Sequence, residues 1–178
     1  MDFAAFEKLV KQRRSIRYYS DKPVAKEDIL KLLDVAHLSP SVENAQPWRF
    51  HVIFSQEMKR KLMAACCYGN FIDATSVFII VSCDHSHEHS MPEVVWNPRE
   101  LEFSCMAAMM HVIFGATAMG LGSCWVSLHH GQIHEFLKLP RDQTVVGGVM
   151  LGHFKPGEEK SREHFEREPL SKLITIYE

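Results

Sequence analysis

Two short stretches of the chain combine residue types that suit a phosphorylated, planar ligand. The first is RRSIR, residues 13–17, where three arginines surround a serine hydroxyl. Arginine presents a planar fork of donors, and each charge-assisted hydrogen bond is worth roughly 1.5–3 kcal/mol, so the stretch suits a phosphate dianion. If it is extended, Ile16 faces away from Ser15 and Arg17. The alternative is a solvated helix end whose basic residues complement the helix dipole.

The second stretch is SPSVENAQPWRF, residues 39–50. Pro40 and Pro47 fix their own backbone angles and push Ser39 and Gln46 towards extended conformations. The stretch is therefore predicted to be a shaped loop that presents polar side chains, namely Ser41, Asn44 and Gln46. Their donors and acceptors suit a heterocycle with alternating carbonyl and N–H groups. The alternative is an ordinary helix-to-strand connection that contains two prolines.

Hydrophobic periodicity predicts the elements that position these stretches. Helices are predicted at residues 2–13, 26–38, 56–67, 99–119 and 131–138, and strands at residues 49–54, 76–83, 124–128 and 144–154. Residues 76–83 are continuously apolar, which predicts a central strand covered on both faces. Asp2 is expected to cap the first helix, and Trp48 is expected in the core. Helices on both faces of a sheet predict an α+β fold.

The predicted helix at residues 99–119 is apolar nearly all round from Cys105 onward, so it must be buried on all sides. A chain of this length has little to cover it with, and a partner subunit is the expected source of the missing cover. The end of the chain, PLSKLITIY, is also apolar and needs a surface to pack on. Gly120 and Gly122 are expected to end the long helix.

Composition limits the classes of function. The 178 residues predict one domain, 1–178, and the net charge of −2 gives no basic field that would attract nucleic acid. No apolar run reaches the ~18 residues that cross a bilayer, and the N-terminus predicts a mature helix rather than a signal peptide. The five cysteines form no C-x-x-C pair, which favours reduced thiols in a cytoplasmic protein.

Three further features rank lower. His85, His87 and His89 alternate, so an extended loop would project them on one side as metal ligands, but no second ligand cluster completes a site and a solvated loop is favoured. His129 and His130 follow a predicted strand and are candidates for a substrate pocket. The lone G-x-G at residues 120–122 lacks the strand-to-helix context of a dinucleotide fingerprint.

Taken together, the ordered motifs resemble the FMN-dependent nitroreductase superfamily. The arginine–serine–arginine cluster precedes a second helix and then P-S-x-x-N-x-Q-P-W at the entrance to a strand. The resemblance continues through YGNFIDA, GLGSCW, VVGGVMLG and REPLSKLI, so it covers essentially the whole chain in the right order. It implies a three-layer sandwich with a mostly antiparallel sheet and an intertwined homodimer with one FMN per subunit at the interface.

The resemblance also implies which residues hold the cofactor. Phosphate and ribityl contacts match Arg13, Ser15 and Arg17 with Arg14 beside them, and Arg167 matches the tail arginine that closes on the phosphate. The loop that the other subunit contributes to the flavin matches Pro40, Ser41 and Asn44, with Gln46 a weaker candidate. Asn70 stands where members often have a polar residue facing the flavin. No side chain is expected to act as an obligatory acid or base.

The implied activity is electron transfer from NADH or NADPH, through FMN, to nitroaromatics, quinones or similar electron-poor substrates in a ping-pong order. Three departures leave the substrate open: Ser127 and Leu128 replace a glutamate–glycine pair, Phe165 replaces a lysine, and Gly152–Phe154 replaces glycine–tyrosine–proline. The alternatives are another reaction of the superfamily, such as dehalogenation, flavin fragmentation or azoline oxidation, or a flavin- or metal-binding module without turnover.

Overall fold

A four-stranded antiparallel sheet, in the order β1-β2-β4-β3, forms the centre of the protein. The computed structural model describes residues 2–67, 69–86, 97, 99–157 and 167–177. The strands are β1 (Trp48–Ile53), β2 (Val77–Asp84), β3 (Gly122–Val126) and β4 (Gln143–Gly152). The helices are α1 (Phe3–Gln12), α2 (Lys26–Ala36), α3 (Gln56–Leu62), α4 (Arg99–Ala118) and α5 (His130–Leu137).

Helices cover the sheet on both faces, because the central strand β2 is apolar on both sides. Strand β2 is buried at all eight positions, as its continuous apolar sequence predicts. On one face, α2 and α4 pack against Val77, Ile79 and Val81. On the other face, Phe78 and Ile80 pack with residues of α3 and α5 and of the 3₁₀ turns between α3 and β2. The predicted α+β three-layer sandwich is confirmed.

Most predicted elements are present, with shifted ends. The Asp2 side chain accepts a hydrogen bond from Ala5 N (2.8 Å) and caps α1, as predicted. Trp48 is buried, and its indole N–H donates to His37 Nδ1 (3.4 Å), so its predicted place in the core is also confirmed. No disulfide links the five cysteines.

Three predicted boundaries are wrong. The helix predicted to reach residue 67 ends at Leu62, because Met63–Ala65 form a 3₁₀ turn and Cys66 pairs with Leu128. Gly122 does not end the long helix; it begins β3, where its lack of a side chain makes room for Ile16. Strand β3 therefore starts and stops two residues before the predicted range.

The long helix α4 is not buried on all sides by its own chain. One side packs on the sheet, whereas Phe103 and Met106 are exposed and Met110 and Phe114 are only partly buried. These residues recur three or four positions apart, so they form one stripe along the helix. In α1, Phe3 and Phe6 are exposed, as are five large apolar residues of the tail: Leu170, Leu173, Ile174, Ile176 and Tyr177.

Among the described residues, α4 is the one helix whose length and hydropathy would allow it to cross a membrane. Of its most apolar window, 44% is buried inside the protein. Because α4 packs against the sheet and against α2, it is interpreted here as a core helix.

Candidate functional site

The arginine segment, residues 13–17, is joined to the edge strand β3 by one isolated backbone bridge. Ser15 pairs with Ser123 in a parallel bridge, and Ile16 N donates to Ser123 O (2.9 Å). The buried Tyr19 hydroxyl donates to Ile16 O (2.7 Å) and fixes the exit from the segment. Ile16 is buried and Ser15 is exposed, so the predicted alternation of faces is confirmed.

Cationic side chains from the two ends of the chain meet at this segment. The pKa of the Arg13 guanidinium is lowered, first by burial and then by the nearby charges of Arg14 and Arg167. Arg167 lies in the tail, more than 150 positions after Arg13 in the sequence. Like charges repel, and a bound anion would relieve the repulsion that Arg14 and Arg167 exert on Arg13. The cluster is therefore suited to an anionic group such as a phosphate.

The other two arginines of the segment make contacts with its own backbone. Arg14 donates through Nη1 to Lys11 O and to Arg13 O (2.9 Å), so it caps the last turn of α1. Arg17 donates through Nη1 to Ser15 O (3.2 Å). A guanidinium has five N–H groups, so Arg17 keeps donors for a ligand.

The amide loop, residues 39–46, has an unusual backbone. Glu43, Asn44 and Gln46 have φ angles of 46°, 54° and 49°, in the left-handed region that favours glycine. Such residues cost roughly 1–3 kcal/mol each and occur mainly where a ligand or partner requires that shape. The prediction that Pro47 makes Gln46 extended is wrong, because tertiary hydrogen bonds override the local preference.

Hydrogen bonds hold this backbone in place. Ser41 Oγ accepts from Gln46 N (3.0 Å) and closes the loop on itself. Ser104 Oγ, on α4, accepts from Val42 N (3.2 Å). Gln46 Nε2 donates to Asn44 O (3.2 Å), which occupies one donor of the Gln46 amide. Asn44 is exposed, and its side chain makes none of these bonds.

Two cavities flank these segments. A groove of about 400 Å³ runs between the amide loop and α4, where Pro40, Ser41 and Val42 face Phe103 and Ala107. A larger cavity of about 600 Å³ lies between α1 and the end of α4, with Lys8, Lys11 and Arg14 among its lining residues. The arginine segment lines the larger cavity, and the amide loop lines the smaller one.

The two segments lie at diagonally opposite corners of the sheet. The amide loop enters β1, and the arginine segment borders β3, which are the two edge strands. Three strand spacings of about 4.8 Å separate these edges, or about 14 Å across the sheet. Along the strands, Trp48 of β1 pairs with Cys83 of β2, whereas Ser123 of β3 pairs with Leu151 of β4, which in turn pairs with Val77 of β2. Cys83 and Val77 are six residues apart along β2, or roughly 20 Å.

The 3₁₀ segment Gly69–Ala74 contacts the residue that follows the arginine segment. Tyr18 and Phe71 form an edge-to-face aromatic pair with ring centroids 5.8 Å apart. Asn70 directly precedes Phe71 in this segment. The Asn70 side chain lies outside what the structure describes.

Ser127 and Leu128 lie beside the two cysteines that precede the 3₁₀ segment Gly69–Ala74. Cys66 pairs with Leu128, and Cys67 N donates to Ser127 O (2.8 Å). Ser127 and Cys67 are exposed, whereas burial raises the pKa of the Cys66 thiol to about 12. Cys66 is therefore protonated at neutral pH and is a poor nucleophile.

The histidines have structural partners where they are described. His85 Nε2 lies 2.9 Å from Thr144 Oγ1, and His129 Nδ1 accepts from Gln132 N (3.4 Å) as the N-cap of α5. His130 is exposed. His87 and His89 lie outside the described residues, and no group of three potential metal ligands occurs among those that are described.

The residues that stabilise the amide loop were not predicted from the sequence. Arg49 donates to Gln46 O (3.3 Å) and forms an ion pair with Asp84, and Ser104 binds the other half of the loop. Arg49 directly follows Pro47–Trp48, which was a signal that it is close to the loop. Its partner depends on the register of β1 and β2, which the sequence pattern alone does not define.

The family model for the nitroreductase family matches residues 10–84 and 63–153. A protein of Archaeoglobus fulgidus, provisionally named NADH dehydrogenase/NAD(P)H nitroreductase, is 33% identical over 86% of each chain. A protein of the same name from Methanothermobacter thermautotrophicus is 35% identical over 81% of this chain and 74% of its own. A provisionally named nitroreductase from Desulfovibrio desulfuricans, solved in complex with FMN, superposes with a TM-score of 0.79 at 26% identity, over 97% of this chain and 96% of that one. This chain belongs to the nitroreductase family.

Proposed function

We propose that this protein is an FMN-dependent NAD(P)H oxidoreductase that acts as a homodimer, with FMN at the subunit interface. The observation that carries the proposal is that the charge of Arg167 is near enough to lower the pKa of Arg13, so residues from the two ends of the chain would form one anion site. The relative from Desulfovibrio desulfuricans, which has FMN bound, supports the identity of the anion as the FMN phosphate.

The residues present fit this cofactor. Arg13, Arg14, Arg17 and Arg167 supply forked donors for a phosphate, and the exposed Ser15 hydroxyl suits a ribityl oxygen. On the amide loop of the other subunit, Pro40, Ser41, Asn44 and Gln46 would face the flavin ring. Asn44 is exposed and left-handed in φ, so its amide would be the loop's candidate donor to the ring.

When bound, FMN would supply the redox chemistry that links NADH or NADPH to a nitroaromatic, a quinone or a similar electron-poor substrate, in a ping-pong order. The chain's own residues bind and orient. Asn44 and backbone amides would stabilise negative charge on the ring. No side chain is assigned a proton-transfer role, since solvent is able to supply the protons.

A homodimer explains two features that one chain leaves open. The arginine segment and the amide loop lie at opposite corners of one sheet. Pairing with a second copy would place the arginine segment of one chain beside the amide loop of the other. The exposed apolar stripe of α4 and the apolar residues of α1 and the tail supply the surface for such an interface.

The cysteines, which form no disulfide, favour a reducing compartment such as the cytoplasm.

A second candidate is another reaction of the same superfamily on the same cofactor: dehalogenation, flavin fragmentation or azoline oxidation. The exposed Ser127 favours it, because this residue replaces one of the glutamate–glycine pair that some members carry near the flavin ring. Such a change alters the polarity of the substrate side of the site while the phosphate site stays the same.

The visible spectrum of the purified protein, followed by anaerobic addition of NADH or NADPH, tests the proposal. We expect a yellow protein that bleaches with one of the two donors and regains its colour when a nitroaromatic or a quinone is added. Double-reciprocal plots should be parallel. A colourless monomer that does not bind added FMN would contradict the whole proposal, whereas a yellow protein that reduces neither acceptor would favour the second candidate.

A further inference from the structure

The second half of the amide loop needs support from outside the loop. Gln46 has a left-handed φ of 49° directly before Pro47, a combination that an isolated chain rarely adopts. Ser104 binds the first half of the loop through Val42 N. The Ser41 hydroxyl joins the two halves but belongs to the loop itself, so it cannot fix the loop to the rest of the protein.

Arg49 supplies the missing support. Its Nη1 group donates to Gln46 O (3.3 Å) and to Trp48 O (3.0 Å), so one guanidinium nitrogen bridges the carbonyl groups on both sides of Pro47. Its Nη2 group donates to Asp84 Oδ2 (2.5 Å). The guanidinium therefore joins the loop to the end of β2.

Asp84 is itself firmly held. Its backbone N–H donates to Pro47 O (2.8 Å), which extends the pairing of β1 and β2 by one residue. Its Oδ1 atom accepts from Ser86 N (2.9 Å), and its side chain is only 11% exposed. An ion pair in such a place is less screened by solvent than a surface pair, because one partner is almost buried.

We propose that Arg49 is a positioning residue for the FMN site: paired with Asp84, it holds Gln46 in its left-handed conformation and so presents the amide loop to the cofactor of the other subunit. This inference rests on the proposed function. Arg49 does not touch the cofactor in this scheme; it sets the fraction of molecules whose loop is already shaped to bind. A fall in that fraction weakens apparent affinity by the same factor.

The test compares Arg49→Gln, Arg49→Lys and Asp84→Asn with the control Arg60→Gln. Arg60 pairs with Asp73 (3.1 Å) on the surface of α3, away from the loop, so the control also removes one arginine from one ion pair. FMN affinity is measured by quenching of flavin fluorescence, the flavin reduction potential by anaerobic titration, and stability by the melting temperature of the FMN-free protein.

We expect Arg49→Gln to raise the Kd for FMN about tenfold and to shift the flavin potential, with a melting temperature close to that of Arg60→Gln. Arg49→Lys should recover part of the affinity, because an ammonium group keeps the charge but cannot bridge two carbonyls and a carboxylate with one planar fork. Asp84→Asn should act in the same direction as Arg49→Gln, with a smaller effect.

An unchanged Kd and potential in both Arg49→Gln and Asp84→Asn would overturn the inference. So would a loss of affinity that the melting temperature explains entirely and that leaves the potential unchanged. If Arg49→Gln does not fold, Asp84→Asn alone decides the question, since asparagine can still accept from Ser86 N. A wild-type protein that binds no FMN would contradict the proposed function itself, which is a distinct result.

Discussion

The arginine segment and the amide loop are both assigned to the cofactor, yet they are built in opposite ways. The backbone of the arginine segment is bridged to β3 at Ser15, and its proposed function depends on the charge of side chains. The amide loop has three left-handed residues within four positions, and its function depends on the shape of the backbone. Substitutions should therefore act through lost charge in one segment and through lost shape in the other.

The difference also affects what each segment needs from the rest of the molecule. Strand pairing positions the arginine segment with bonds that almost any sequence can form. The amide loop requires specific side chains at a distance, namely Ser104 on α4 and Arg49 at the start of β1. A strained backbone persists only where its surroundings hold it, so changes outside the loop should affect the loop more than the arginine segment.

The largest expected effect comes from separating the two subunits, because each site would then lose one of its two segments. Met106 lies on the exposed stripe of α4 and is 39% exposed. Met106→Glu would place an unpaired charge in the proposed interface, and we expect a monomer by light scattering with FMN affinity lower by on the order of 100-fold or more.

Met58→Glu is the matched control, since Met58 lies on α3, across the sheet from α4, and is 37% exposed. It should leave the dimer and the cofactor unchanged. A dimeric Met106→Glu protein, or a monomer that still binds FMN as tightly as the wild type, would show that the two segments do not need separate copies of the chain.

The next effect in size is the loss of a charge from the arginine segment. Arg13→Gln should weaken FMN binding roughly 10- to 150-fold, because one or more charge-assisted hydrogen bonds of about 1.5–3 kcal/mol disappear. The FMN-free protein should be as stable as the wild type or slightly more so, since the repulsion from Arg14 and Arg167 is removed. Binding titrations and thermal melts measure both.

Riboflavin, which lacks the phosphate, provides an internal control for this prediction. If Arg13 acts on the phosphate, Arg13→Gln should bind riboflavin as the wild type does. An equal loss for FMN and riboflavin would mean that Arg13 acts elsewhere on the cofactor or supports the fold.

The contrast between the segments explains how far the sequence could predict each of them. The alternation of Ile16 with Ser15 and Arg17 follows from strand geometry, so the faces of the arginine segment were predictable without knowledge of the neighbouring strand. The conformation of Gln46 was not, because the local rule for residues before proline favours extended backbone. Arg49, which donates to Gln46 O, pairs with Asp84, and that pair depends on the register of β1 and β2. The predicted end of α3 was wrong for a similar reason: Cys66 pairs with Leu128 instead of continuing the helix, and a pairing between distant residues cannot be predicted from helical periodicity.

The family resemblance supplied residue roles that local physics did not, among them a place for Arg167 at the phosphate; in the structure the charge of Arg167 acts on Arg13. A residue near the end of the chain cannot be placed beside one near its start from periodicity alone. For the long helix α4, in contrast, periodicity alone was informative. Its all-round apolar sequence predicted that it needs more cover than one chain supplies, and the exposed stripe is the surface on which that cover is missing.

The smallest expected effect separates shape from side-chain chemistry within the amide loop. Asn44 has a φ of 54°, which alanine adopts at a cost of roughly 1 kcal/mol and glycine adopts without that cost. Asn44→Ala should therefore lower the melting temperature of the FMN-free protein more than Asn44→Gly does. Both variants lose the amide, so both should weaken FMN binding about 3- to 10-fold and shift the flavin potential, in keeping with one lost hydrogen bond. If Asn44→Gly binds FMN with unchanged affinity and potential while Asn44→Ala does not, the role of Asn44 is to shape the backbone; if neither variant changes either quantity, Asn44 has no part in the cofactor site.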